Sequence, residues 1–133
     1  MFNRKQKYKA VRTFSELIGR TFDSKGECKR AEELRLMERD GEIQGLQYQV
    51  PFPLATRQKE GYKVTVKIDF AYVKDGEQIY EEYKGFMTRE ARQSYAWIKQ
   101  LYGIDIILTS NLLTLVDIDA GYRRLMEKIK PKK

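Results

Sequence analysis

Apolar residues recur with two different periods along this chain, and the changes of period mark out its elements. From Val64 to Tyr72 every second residue (Val64, Val66, Ile68, Phe70, Tyr72) is apolar, with Thr65, Lys67, Asp69, Ala71 and Val73 on the other side, the period of a strand. Asp75-Gly76 follows, a loop that favours the type I′ turn of a two-stranded hairpin spanning Tyr62 to Gly85. Lys74 then faces Glu77, which puts Glu81 beside Phe70, Asp69 opposite Glu82, and Lys67 opposite Lys84. Before this hairpin, Leu46, Tyr48, Val50 and Phe52 alternate with Gln47, Gln49 and Pro51 in a strand from Gly45 to Arg57. Pro51 and Pro53 restrict it to an edge, or end its ladder, because proline has no N–H to donate.

The helical period occurs twice with clear ends. Asp23 or Ser24 caps a helix reaching about Asp40, with Gly41 as the residue after its C-cap. Glu27, Ala31 and Leu34 fall within about 40° of one another on it, so Glu27 extends the apolar stripe. A second helix runs from an N-cap at Thr88 to Tyr102, closed by Gly103, with Ala91, Ser94, Trp97, Ile98 and Leu101 as its inward stripe. Ile104 to Thr109 reads as a buried strand parallel to the one carrying Glu82, reached by a right-handed crossover. Leu112 to Ile118 reads as a further strand and Ala120 to Ile129 as a last helix, while Phe14 to Ile18 is a short turn or strand before Gly19. The order α-β-β-β-α-β-β-α implies an α/β fold with a mixed central sheet flanked by helices.

A chain of 133 residues suits one domain. Residues 1–13 are polar and basic without periodicity and read as an arm, leaving 14–133 as the folded unit. No apolar run approaches the roughly 18 residues of a membrane span, so a cytoplasmic protein is expected. With Cys28 as the single cysteine and no histidine, a disulfide framework, imidazole-ligated zinc and Ser-His or Cys-His catalysis are excluded. Any catalysis therefore rests on carboxylates, lysines and a metal. The net charge of +7 favours a polyanionic partner. Much of the excess lies in Arg4, Lys5, Lys7, Lys9 and Arg12 at one end and in Lys128, Lys130, Lys132 and Lys133 at the other, either as phosphate-holding tails or as solubilising arms. Arg89 and Arg92 add positive charge on the second helix.

Opposed like charges such as Asp69 and Glu82 destabilise a sheet face. Two arrangements relieve them: a hard divalent cation between the carboxylates, or diagonal pairs of Lys67 with Glu82 and Lys84 with Asp69 on an exposed face. Gln49 lies on the polar side of its strand, either reaching a metal-bound water or phosphate or simply at the surface. Glu27 is either an inward ligand or a first-turn acid favoured by the helix dipole.

Glu27 on the first helix, Asp69 on one strand and Glu82-Tyr83-Lys84 on the next, followed by helix and strand, resemble the PD-(D/E)XK nuclease superfamily. The stretches FDSKGE (Phe22 to Glu27), QVPF around Gln49, DFAYV (Asp69 to Val73) and EEYKG (Glu81 to Gly85) resemble small phage-encoded proteins related to Holliday-junction resolvases. Ile68 stands where the superfamily name has proline, and Ser94 and Ala96 stand where similar proteins often carry inward lysines. The resemblance implies a PD-(D/E)XK fold and a Mg²⁺- or Mn²⁺-dependent endodeoxyribonuclease acting on branched DNA as a homodimer. Glu27, Asp69, Glu82 and the Tyr83 carbonyl would hold metal, and Lys84 would act on the hydroxide or the phosphate. Arg4, Lys5, Lys7, Lys9, Gln49, Lys67, Arg89 and Arg92 would contact DNA. The alternatives are a non-catalytic DNA-binding module on the same fold and a nuclease subunit of a larger recombination or transposition assembly.

Overall fold

A computed structural model describes residues 11–57, 62–84, 86–110, 120–129 and 131. The elements, in order, are β1 (Thr13–Ser15), β2 (Arg20–Phe22), α1 (Lys25–Arg39), β3 (Gln44–Arg57), β4 (Tyr62–Lys74), β5 (Glu77–Tyr83), α2 (Arg89–Tyr102), β6 (Ile106–Thr109) and α3 (Ala120–Lys128). β1 and β2 pair as a small hairpin, and a separate four-stranded sheet runs β3-β4-β5-β6. The expected mixed α/β sheet is present: β3, β4 and β5 are antiparallel neighbours, and β6 joins β5 in parallel.

Local signals act where the sequence placed them. Asp75 (φ +50°) and Gly76 (φ +79°) are both left-handed, as a type I′ turn requires, and the ladder runs from Lys74↔Glu77 to Phe70↔Glu81. The Ser24 side chain caps α1. At the other end the Gly41 N–H donates to Glu38 O and the Glu42 N–H to Met37 O, closing a Schellman motif around the left-handed Gly41. Thr88 caps α2 and Gly103 ends it. β3, with its two prolines, is an edge strand.

Several expectations need correction. Phe14 to Ile18 is divided between β1 and its turn, and β2, which was not anticipated, follows the left-handed Gly19. Thr13, the last residue of the arm expected over 1–13, belongs to β1; residues 1–10 lie outside the described residues, as does the strand expected over 112–118. Lys67 does not oppose Lys84, because the ladder ends at Phe70↔Glu81. The Lys84 N–H instead donates to Thr109 O at 2.8 Å, and the exposed Lys67 is in register with Pro51.

The apolar side of β4 is also split between two cores. Phe70 and Tyr72 pack with Phe22, Ala31, Leu34 and Ile43 beneath α1, with Tyr48 against them. Ile68 packs instead with Phe52, Tyr95, Ile98 and Leu108 beneath α2, with Val50, Val64 and Val66 against it. Both strands change partner at the Gln49–Asp69 position, where Gln49 has φ +53°. A non-glycine residue in the left-handed region is uncommon within a strand, and here it coincides with the change of core.

Along β5 the alternation is regular: Ile79, Glu81 and Tyr83 face α1, while Tyr80 and Glu82 face α2. Glu81 is 1% exposed and satisfied on every side. Arg30 of α1 grips it with two hydrogen bonds (Nε to Oε2 2.6 Å, Nη2 to Oε1 2.9 Å), and Tyr72 of β4 and Thr109 of β6 donate hydroxyls at 2.7 and 3.1 Å. This carboxylate therefore ties α1 to three strands. Arg30→Met, which leaves the Glu81 charge buried without its partner, is expected to cost about 3–5 kcal/mol in urea unfolding. The double variant Arg30→Met/Glu81→Leu should be clearly more stable than the single one, since it leaves no unpaired charge; equal losses would contradict this account.

Candidate metal centre

Three acidic side chains from three elements meet where β4 and β5 part. The Asp69 N–H donates to Glu82 Oε1 at 2.9 Å, and the Tyr83 N–H donates to Asp69 Oδ2 at 2.9 Å. Beyond Phe70↔Glu81, carboxylates thus take the donors that main-chain carbonyls would take in a longer ladder. Glu27 comes from the first turn of α1, its N–H held by Ser24 Oγ at 3.1 Å, and its carboxyl hydrogen-bonds that of Asp69. The Gln49 amide approaches Asp69 Oδ1 at 3.4 Å. Tyr95 of α2 donates its hydroxyl to Glu82 Oε2 at 2.5 Å, and Lys84 Nζ lies 6.0 Å from the centre of the Tyr95 ring.

Gly26 explains how α1 comes this close to β5. A Cβ at that position would overlap the phenol of Tyr83, so any other residue requires that ring to move. The glycine of the FDSKGE stretch is a packing requirement next door to Glu27.

Crowding and burial raise the proton affinity of these acids. Glu27 and Glu82 are each only 7% exposed. Burial, the neighbouring Asp69 charge and the hydrogen bond to Asp69 push Glu27 up to about 8. Burial and the Asp69 charge push Glu82 up to about 7, against the opposing pull of the Tyr95 hydroxyl and Lys84. Asp69 is also raised by burial, but its hydrogen bonds to the Tyr83 N–H, Glu27, Glu82 and Gln49 act the other way. Glu27 and Asp69 titrate together, and burial raises both.

The chemistry of this donor set fits a hard divalent cation: carboxylate oxygens, an amide nearby, and neither sulfur nor imidazole. Two carboxyls bond each other only when one is protonated, and a cation offers the same relief from repulsion as that proton. Among the described residues no group of three or more acidic or thiol side chains is arranged to hold a metal ion. In the conformation seen, these carboxyls are turned to one another and to the main chain.

Of the other expected site residues, the structure brings Gln49 and Lys84 to the cluster and leaves Lys67 and Arg89 exposed. Arg92 is half-buried on α2, Tyr83 contributes its N–H to Asp69, and Arg4, Lys5, Lys7 and Lys9 lie outside the described residues. The stripe expected on α2 is rotated: Trp97 is 39% exposed, whereas Tyr95 and Ile98 are buried. The spacing Ala91, Tyr95, Ile98 was the signal that would have found Tyr95, the one buried side chain of α2 that touches the cluster.

Residues 5–109 match the family described as "Protein of unknown function (DUF1064)". No curated protein and no solved structure matches the chain significantly.

With Glu27 raised to about 8 and Glu82 to about 7, the folded protein keeps a proton on Glu27 up to about pH 8 and on Glu82 up to about pH 7, where ordinary carboxyls of the unfolded chain have released theirs. Because the folded state binds more protons, stability without metal falls as pH rises through that window. The melting temperature in EDTA should therefore drop from about pH 5 to 8.5, more steeply than in a Glu27→Gln/Glu82→Gln variant. Millimolar Mg²⁺ or Mn²⁺ should recover the loss at the upper end and do little at the lower, where protons compete. An equally shallow profile in both proteins would contradict the assignment.

Gly26→Ala supplies a second check. An ordinary Gly→Ala change inside a helix stabilises by roughly 0.5–1 kcal/mol. Here the overlap with Tyr83 should reverse the sign and cost about 1–3 kcal/mol by urea unfolding.

Proposed function

We propose that this chain, which belongs to the DUF1064 family, is a metal-dependent endodeoxyribonuclease of PD-(D/E)XK type acting on branched DNA such as Holliday junctions. The observation that carries the reading is the meeting of Glu27, Asp69 and Glu82 with Lys84 at the point where β4 and β5 diverge. These residues come from a helix and two neighbouring strands within a mixed α/β sheet, in the order that the resemblance requires.

Asp69 and Glu82, with the Tyr83 carbonyl, hold Mg²⁺ or Mn²⁺ in this reading, and Glu27 holds a second ion or a water. Bound there, the ion supplies Lewis acidity at the phosphoryl oxygen and a water acidic enough to attack near neutral pH. The chain's own contribution is geometric and electrostatic. The main-chain N–H groups of Asp69 and Tyr83 hold the Glu82 and Asp69 carboxylates at the end of the ladder, and these two would turn from the main chain to an ion as it binds. Lys84, close enough to lower the pKa of Glu82, would stabilise charge developing on the phosphate. The net charge of +7 favours the approach of a polyanion. Two symmetric cuts across a junction require two such sites, and a two-fold homodimer provides them.

Purified protein incubated with four-way junction, flap, single-stranded and linear DNA should nick the junction in Mg²⁺ or Mn²⁺ and not in EDTA. Asp69→Ala and Lys84→Ala should each lower cleavage by about 100-fold or more while junction affinity changes only a few fold. Cleavage retained in both variants would sink the assignment. Junction binding by the wild-type protein without metal-dependent nicking would favour a non-catalytic module on the same fold.

A further inference from the structure

Glu82 and Lys84 belong to β5, yet one side chain of α2 touches both. We propose that Tyr95 is a positioning residue that sets the divalent-cation affinity of the carboxylate site by holding Glu82 and Lys84 in place. This inference rests on the metal-centre reading above.

Tyr95 is 1% exposed, so it acts on a bound ion or substrate only through other groups. Its ring is part of the apolar core with Ile68, Ile98 and Leu108, where a phenol hydroxyl needs a partner. That partner is Glu82 Oε2, while the other oxygen, Oε1, accepts the Asp69 N–H. When Oε1 turns from the main chain to an ion, the Tyr95 hydroxyl is the donor that still holds Oε2. Such a supporting bond tunes the affinity of a ligating carboxylate. The same ring lies beneath the Lys84 ammonium at the outer limit of cation–π reach. One ring therefore spans both ends of the Glu82-x-Lys84 pair. It is itself held by a helix that Thr88 caps at its start and Gly103 closes at its end. A tyrosine thus supplies from α2 the inward polar contact that the positions of Ser94 and Ala96 do not.

Tyr95→Phe separates this role from core packing, since it removes the hydroxyl and keeps the ring. In EDTA the variant should melt within about 5 °C of wild type. Its Mg²⁺ and Mn²⁺ dissociation constants, from isothermal titration calorimetry and from the metal-induced rise in melting temperature, should be weaker by about 10–100-fold. Adding Tyr95→Phe to Glu82→Gln should weaken metal binding little beyond Glu82→Gln alone, because both act through one carboxylate. Wild-type metal affinity in Tyr95→Phe, or a variant that fails to fold in EDTA, overturns the inference and leaves the metal reading standing. A wild-type protein that binds neither ion removes the metal reading and this inference with it.

Discussion

β4 and β5 pair through their main chains only as far as Phe70↔Glu81, and one step beyond, carboxylates take over the hydrogen bonding. Glu82 receives the Asp69 N–H, and Asp69 receives the Tyr83 N–H. The carboxylates complete the hairpin as they terminate it, and their orientation is tied to the strand register. Register in turn follows from the type I′ turn at Asp75-Gly76. A slip of one residue there would exchange Glu82 for Glu81 on the α2 side and bring an arginine-bound carboxylate's position to the site. Everything the candidate centre can do depends on this short stretch.

The adjacent glutamates of β5 show how burial produces opposite outcomes. Glu81 meets Arg30, Tyr72 and Thr109, and its charge is fully partnered. Glu82 meets Asp69 and a tyrosine hydroxyl, with Lys84 near enough to influence it but not to cancel the crowding. α1 contributes to both sides of this contrast from successive turns, with Arg30 to the partnered carboxylate and Glu27 to the crowded cluster. The ion pair that anchors the helix also sets where Glu27 stands. Like charges gathered in a buried place raise their own proton affinity, and the same free energy is available to a divalent cation.

Gln49 adds a further constraint. It is one of only two non-glycine residues with positive φ among the described residues, the other being Asp75 in the turn. Its left-handed backbone coincides with the place where β3 and β4 pass from the α1 core to the α2 core, and its amide reaches Asp69. The cluster lies at the seam between the two cores, within reach of α1 through Glu27 and of α2 through Tyr95.

Much of this was legible in the residues because it is local. Asp75-Gly76, Ser24, Gly41, Thr88 and Gly103 each act on the backbone within a few residues, so the turn, the hairpin register and the ends of both main helices followed from the chain alone. The nearness of Asp69 to Glu82 followed from that register, although the ladder stops at Phe70↔Glu81 and the two meet through the Asp69 N–H and the Glu82 carboxylate, and the inward placing of Glu27 followed from helical spacing. What the sequence could not contain was which groups meet across large separations along the chain. The end of the β4–β5 ladder, the division of the apolar run between two cores, the Arg30–Glu81 clamp and the reach of Tyr95 to Glu82 were decided only when helices packed on the sheet. Each is a competition for a hydrogen bond or a place in a core between residues tens of positions apart, and tertiary packing chooses the winner. The candidate centre belongs to both: local rules put its carboxylates on the right elements, and packing made them a cluster.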